Sequence, residues 1–362
     1  MTGNIFGHLF RTTTWGESHG RAVGCVVEGC PSGLTLSEED VQKELDRRRP
    51  GGRLASSRKE KDKVEILSGI FENRATGTPV SLLIWNKDVD SRPYEKFKDL
   101  FRPGHADYTY FAKYGIRDWR GGGRASARET VGRVAAGVIA KKILKNFGIS
   151  VGGYTKEIAG IKCQTPWEFE ENIHRAESNE LRCPDETAAK QMEEKIIEAR
   201  KEGDSVGGIA EIVVRNPPAG LGEPVFNKLD SYLAYAIMSV PAVKGIEIGA
   251  GFEAARMKGS EDNDPITVDK GDIRFETNNA GGILGGISNG EDIVLRAAIK
   301  PTPSISRTQK TVNYVKMEEE EIEIKGRHDP CIVPRAVPVL EAMTALVITD
   351  CMMMQRLIPR FV

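Results

Sequence analysis

Three of the five histidines sit in polar, glycine-bearing motifs: GESHG (16–20), RPGHADY (102–108) and GRHDPC (326–331). Histidine is the side chain that exchanges protons near neutral pH, and these neighbours are glycine, arginine and acid rather than apolar faces. That pattern predicts an enzyme. A second chemistry is written in RGGGRASARET (120–130), where three glycines allow close backbone approach just before a helix. Ser126 and Glu129 have capping-box spacing, and the free N–H groups of a helix start bind anions, with Arg124 and Arg128 adding charge. A well-capped helix with surface arginines is the plainer alternative. AGGILGG (280–286) and KPTPSI (300–305) form another such cluster, in which Thr302 and Ser304 could donate to a phosphate or ring carbonyl beside Lys300. Glycine pairs equally mark turns. The run RRRPGGRLASSRKEKDK (47–63) reads either as a solvated basic loop or as a shaped one whose Arg48 and Arg53 reach over an anion. GAGFEA (249–254) imitates a dinucleotide fingerprint, but the glycine and Asn-Asp-Pro of GSEDNDP arrive too soon for a crossover helix. No Walker loop is present, because Gly-Lys-Ser/Thr is missing. The four glutamates at 318–321 read as a solvated edge.

An internal repeat places these motifs on elements. GESHGRAVGCVVEGCPSGL (16–34) aligns without a gap on GDSVGGIAEIVVRNPPAGL (203–221), with eight identities in nineteen positions. Each copy runs into a helix, the first capped by Ser37, then a strand beginning at Val64 or Val243. Later in each half, Gly-Arg precedes a long apolar helix. Two pseudo-equivalent halves in one domain are expected, at about 2–147 and 204–362, bridged by a charged helix at about 185–201. Gly-acid-Ser recurs in both copies, so Gly16 and Ser18 read as a turn. His19 faces Val206, so the imidazole is dispensable to that turn and is a candidate for chemistry.

Composition sets the limits. In 362 residues, 40% hydrophobic and 28% charged is globular, and 51 Lys+Arg against 52 Asp+Glu leaves a net charge of -1. No global field recruits nucleic acid or an anionic membrane, so anion binding must be local. No stretch reads as a membrane helix, no leader is evident, and a cytoplasmic enzyme is expected. Six cysteines without CxxC or a zinc-like pairing predict free thiols and no metal site.

Taken in order, GESHG, DRRRPGG, RPGHADY, RGGGRASARET, GDSVGG, AGGILGG, KPTPSI and GRHDPC resemble the chorismate synthase family along nearly the whole chain. The resemblance implies an α+β fold of two antiparallel, about four-stranded sheets packed with helices as intertwined repeats, assembled as a homotetramer. It implies 1,4-anti elimination of phosphate from 5-enolpyruvylshikimate 3-phosphate to chorismate, the last step of the shikimate pathway, with reduced FMN required. NADPH or a separate flavin reductase would reduce the flavin. His19 and His105 match the family's active-site histidines and Asp329 its acidic partner. His19 would protonate the departing phosphate, whose second pKa of about 6 lies near that of an imidazole at about 6.5. His105 would stand beside the flavin, and Asp329 would help its N5 region accept the substrate proton. For FMN the resemblance points to Arg124, Ala125, Ser126, Pro241, Ala242, Gly285, Lys300, Pro301, Thr302, Pro303, Ser304 and Arg327. Pro241 departs from the polar residue common there. Arg48, Arg53, Arg102, Arg128 and Arg335 are candidates for substrate or NADP, since guanidinium forks suit phosphate and carboxylate. In the third motif the weight falls on Arg327 and Asp329 rather than His328, and His8 and His174 match no motif. Two other readings stay open: an NAD(P)H-using flavin oxidoreductase, and a non-enzymatic module for phosphate ligands or nucleic acid.

Overall fold

The structure is a computed structural model that describes residues 3–49, 52–54, 61–165, 168–324 and 328–362. Alternating apolar residues build two antiparallel sheets. The first contains β1 (Ile5–Phe6), β2 (Arg11–Gly16), β3 (Ala22–Glu28), β4 (Val64–Ser68) and β5 (Val80–Trp85), in the order β1-β2-β3-β5-β4. The second contains β6 (Ser150–Ile158), β7 (Ile161–Lys162), β8 (Gly208–Arg215), β9 (Val243–Ile248) and β10 (Ile293–Ile299), in the order β9-β10-β8-β6-β7. The four strands expected in each sheet are those of five residues or more; a two-residue edge strand, β1 or β7, makes the fifth. Without these edge strands, the orders β2-β3-β5-β4 and β6-β8-β10-β9 are the same connectivity.

Five helices matter here: α1 (Glu38–Arg48), α2 (Thr130–Lys145), α3 (Glu186–Lys201), α4 (Leu229–Met238) and α5 (Val333–Met354). α2 packs on β2, β3 and β5, α5 packs on β6 and β8, and the two helices pack on each other, so they lie between the sheets. Both are apolar on nearly every face, as a helix in that position must be. Gly132 lets α2 ride directly on β3, since a Cβ there would lie 2.9 Å from the Gly24 carbonyl oxygen. Among the described residues α5 alone is long and apolar enough to cross a membrane, contrary to the sequence reading; it is almost wholly buried as the central core helix. Its Pro338 cannot donate to the Pro334 carbonyl one turn earlier, and Arg182 Nη1 fills that place at 2.8 Å.

Ser37 caps α1 with a complete capping box through Asp40. Asp185 caps α3, the charged helix expected between the halves. After β9 the GAGFEA segment forms a short 3-10 turn, Gly251–Arg256, rather than a crossover helix. All six cysteines are buried free thiols. The glutamate run forms one strand, Glu318–Ile322, of an antiparallel hairpin with Gln309–Asn313.

Candidate active site

A cavity of about 1080 Å³ opens where the C-terminus of α1, the glycine-rich approach to α2, the segment after β10 and the approach to α5 converge. It brings together Arg48, Arg102, His105, Arg124, Ala125, Ser126, Arg128, Pro241, Ala242, Lys300, Thr302, Pro303, Ser304, Asp329 and Arg335. Pro301 lies just behind the wall, with its nitrogen 3.0 Å from the place a Cβ on Gly207 would take. Two candidates lie away from the cavity. Gly285 has nothing around its missing side chain, and Arg53 is exposed and paired with Glu193 of α3. Arg327 lies outside the described residues.

The approach to α2 differs from the capping box expected of it. Ser126 caps a 3-10 turn, Ala127–Glu129, by accepting from the Arg128 amide at 3.2 Å, and α2 begins only at Thr130. Glu129 is drawn away from the capping position by Arg133, 2.9 Å distant. Arg124 turns back from this loop to donate to the Gly16 and Thr14 carbonyls, the Thr14 hydroxyl and Asn4 Oδ1, so it ties the loop to β2.

The arginines divide by partner. Arg102 is held in a fork by Asp107 at 2.8 and 2.9 Å, and Arg117 faces the same carboxylate. Burial alone would raise Asp107, but these guanidiniums hold it below its ordinary value. Arg48, Arg128 and Arg335 instead form one cluster. Arg48 Nε donates to Thr130 Oγ1 at 2.9 Å and Nη2 to the Ala127 carbonyl at 2.8 Å. Its Nη1 reaches Asp62 Oδ2 at 3.4 Å, while Arg128 Nη1 pairs with the other oxygen of Asp62. Arg335 pairs with Asp329 and donates to the Arg48 carbonyl. Burial, with Arg335 and Arg128 close by, pushes Arg48 down to about 9, which leaves it a cation at neutral pH. Three guanidiniums against two carboxylates make this an anion-seeking wall.

Across the cavity, His105 Nε2 meets Ser304 Oγ at 2.7 Å. Burial first, then the charges of Arg102, His328 and Lys300, push His105 down to about 3 despite Asp107. The ring is neutral at physiological pH. Lys300, lowered by burial and by Lys244, donates to the Gly104 carbonyl at 2.8 Å. The turn at 203–207 supports this side: Ser205 Oγ donates to the Thr302 carbonyl and the Val206 amide to the Pro330 carbonyl.

His19 rides on the turn anticipated for Gly16 and Ser18. Asn86 Nδ2 pins that turn by donating to the Glu17 and Gly20 carbonyls, each at 2.9 Å. The histidine ring stands behind the cavity wall, which is formed here by Gly121. Its Nδ1 is 2.8 Å from Ser91 Oγ, and its ring meets Tyr94 edge to face at 5.2 Å. Asp62, Asn86, Ser91 and Tyr94 were not singled out from sequence. Asp62 is one of two acids, with Glu60, inside a basic run, which was its only signal, and the other three carry none.

A reduced flavin can be tested against this wall. Thr302 Oγ1 is buried without a hydrogen-bond partner among the described residues, on the same segment as Lys300 and Ser304. An orphaned hydroxyl beside a cation and a neutral imidazole suits the polar edge of a flavin ring, so the residues present fit the group.

Comparison with known proteins gives the same assignment. The model of the chorismate synthase family matches residues 10–353. Chorismate synthase of Archaeoglobus fulgidus is 67% identical over 99% of both chains. That of Methanosarcina barkeri is 60% identical over 98% of this chain and 97% of its own, and that of Chloroflexus aurantiacus 55% identical over 99% and 97%. A crystal structure of chorismate synthase superposes with a TM-score of 0.78 at 34% identity, covering 97% of this chain and 93% of that one. The chain therefore belongs to the chorismate synthase family and is an enzyme of the carbon-oxygen lyase class.

Proposed function

We propose that the chain converts 5-enolpyruvylshikimate 3-phosphate to chorismate by 1,4-anti elimination of phosphate, in the presence of reduced FMN, as the last step of the shikimate pathway. The observation that carries this reading is the Arg48–Arg128–Arg335 cluster, which shares one cavity with the His105–Ser304 pair and the Ser126 loop. Three guanidiniums match a substrate bearing one phosphate and two carboxylates.

Lys300, Thr302, Ser304, Ala125, Ser126, Pro241 and Ala242 would hold the flavin, which when bound supplies electron density to the substrate ring. His19 donates a proton to the departing phosphate. His105, neutral and bonded to Ser304, shields and orients the far side, and Asp329, paired with Arg335, would assist removal of the substrate proton beside the flavin. Each such acid or base contributes about 10²- to 10⁴-fold, with the arginines stabilising the leaving phosphate.

The enzyme is further read as cytoplasmic and homotetrameric, with NADPH or a separate flavin reductase as the source of electrons. Exposed Phe226, Phe252, Ile266, Val268 and Ile273 support burial in an assembly. The shared strand order of the two sheets supports a duplication whose second half begins at β6 (Ser150–Ile158), so that the helix at 185–201 falls inside that half rather than before it. The test is anaerobic turnover with reduced FMN, following phosphate and chorismate release; folded protein that yields neither would sink the reading. His19→Ala should retain substrate binding and lose turnover by about 10²-fold or more.

A further inference from the structure

Ser91 precedes a short helix, Arg92–Glu95, yet its side chain does not cap that helix. The hydroxyl instead lies 2.8 Å from His19 Nδ1. Two further contacts fix the ring. Tyr94, one turn beyond Ser91, stands edge to face against it at 5.2 Å and 86°. Tyr94 is itself covered by the Arg102 guanidinium, 5.6 Å above its ring. On the opposite edge lies Gly121, where a Cβ would fall 2.2 Å from His19 Cδ2 and 2.4 Å from Nε2.

Gly121 belongs to the cavity wall and His19 stands behind it. The ring edge bearing Cδ2 and Nε2 packs against Gly121, in the space a side chain there would take. With Nδ1 turned to Ser91, the nitrogen on the side of the cavity wall is Nε2. Gly121 also has φ +67, which a side chain would strain. Asp118, whose carboxylate is paired with Arg120 at 2.8 Å, feels His19 as a nearby charge.

We propose that Ser91 is a positioning residue for proton transfer: it holds His19 by Nδ1 so that Nε2 lies at Gly121, on the side of the cavity wall. This inference rests on the reading of His19 as the proton donor. A protonated ring donates from both nitrogens, so Ser91 Oγ accepts from Nδ1–H and favours the charged, proton-donating form. Tyr94 prevents the ring from turning away. No step of this device needs Ser91 to touch substrate.

The experiment compares Ser91→Ala, Ser91→Thr, His19→Ala and the double variant His19→Ala/Ser91→Ala with the unaltered enzyme, in anaerobic turnover with reduced FMN across pH. Ser91→Ala is expected to lower kcat on the order of 10- to 100-fold with KM within about twofold. The alkaline limb of its kcat profile should move to lower pH, because the charged imidazole has lost its acceptor. Ser91→Thr keeps the hydroxyl and should follow the unaltered profile. In the His19→Ala background, Ser91→Ala should cost nothing further, whereas a merely structural loss would persist there. Full turnover and an unmoved limb in Ser91→Ala, with His19→Ala crippled, overturn the positioning role and leave the donor role standing. Unaltered turnover in His19→Ala instead removes the donor reading on which it rests.

Discussion

Gly137 of α2 and Ala342 of α5 mark the point where the two central helices touch backbone to backbone: a Cβ on Gly137 would lie 2.3 Å from the Ala342 Cβ. The contact joins the helix that ends the glycine-rich loop to the helix that follows Asp329, so both walls of the cavity hang from it. Gly137→Ala should destabilise the protein by about 1–3 kcal/mol through overpacking, read as a lower urea midpoint. Ala342→Gly in the same molecule should restore part of the loss, because it removes the methyl that clashes.

Asp62 should behave as the resident counter-ion of Arg48 and Arg128. Asp62→Asn leaves Arg48 and Arg128 buried with no carboxylate between them, a loss of about 3 kcal/mol or more. Inorganic phosphate should raise the Tm of this variant more than that of the unaltered chain, because the added anion binds the folded form where the carboxylate stood. Equal phosphate shifts in a thermal-melt series would remove this role.

His105 predicts a pH dependence of stability. Its folded pKa of about 3 lies below the unfolded value near 6.5, so the unfolded chain binds the extra proton between them. The sign follows: stability is full above about pH 6.5 and falls as pH drops through the window toward 3, by at most about 1.4 kcal/mol per pH unit from this one group. Urea unfolding at pH 7 and pH 5 should show the loss, and His105→Asn should shrink it.

Glu341 points the other way in chemistry but not in direction. Burial would raise it, yet Arg47 and Lys141 of neighbouring helices bring it down to about 2. Its contribution is present above about pH 4.5 and fades as pH falls toward 2. Glu341→Gln should cost on the order of 1–3 kcal/mol at neutral pH, because Arg47 and Lys141 lose one carboxylate of their network while Glu44, and for Arg47 also Glu177, remain. KM measured below the lowered Tm should stay close to that of the unaltered enzyme, since Glu341 does not face the cavity.

What the sequence disclosed was whatever is local or repeated. The turn at Gly16 and Ser18, the Ser37 cap and the paired order of strands and helices follow from periodicity and self-comparison. Ser126 and Glu129 misled because their spacing fits a capping box, while Arg133, four residues beyond Glu129, competes for the carboxylate. Asp62 and Ser91 were hidden for a different reason. Asp62 also meets Arg48 nearby in the chain, but the partners that place these two residues at the site, Arg128 and His19, lie 66 and 72 positions away. α5 was not read as a span because Arg335, Glu341 and Asp350 interrupt its apolar run although its average hydropathy is high, and position in the core, not hydropathy, decides its surroundings.

Asp350 accepts the amides of His8, Leu9 and Phe10 at 2.7 to 2.8 Å, across about 340 residues of chain, and Tyr232 donates to the same carboxylate. Asn4, Thr12 and Thr14, which line the cavity, lie on either side of that anchored segment. During synthesis the earliest-made wall must therefore wait for one of the last-made helices before it is fixed. Catalytic competence should emerge as a single late event rather than in stages, and a nascent chain halted before α5 should hold a preformed first sheet beside an unfinished pocket.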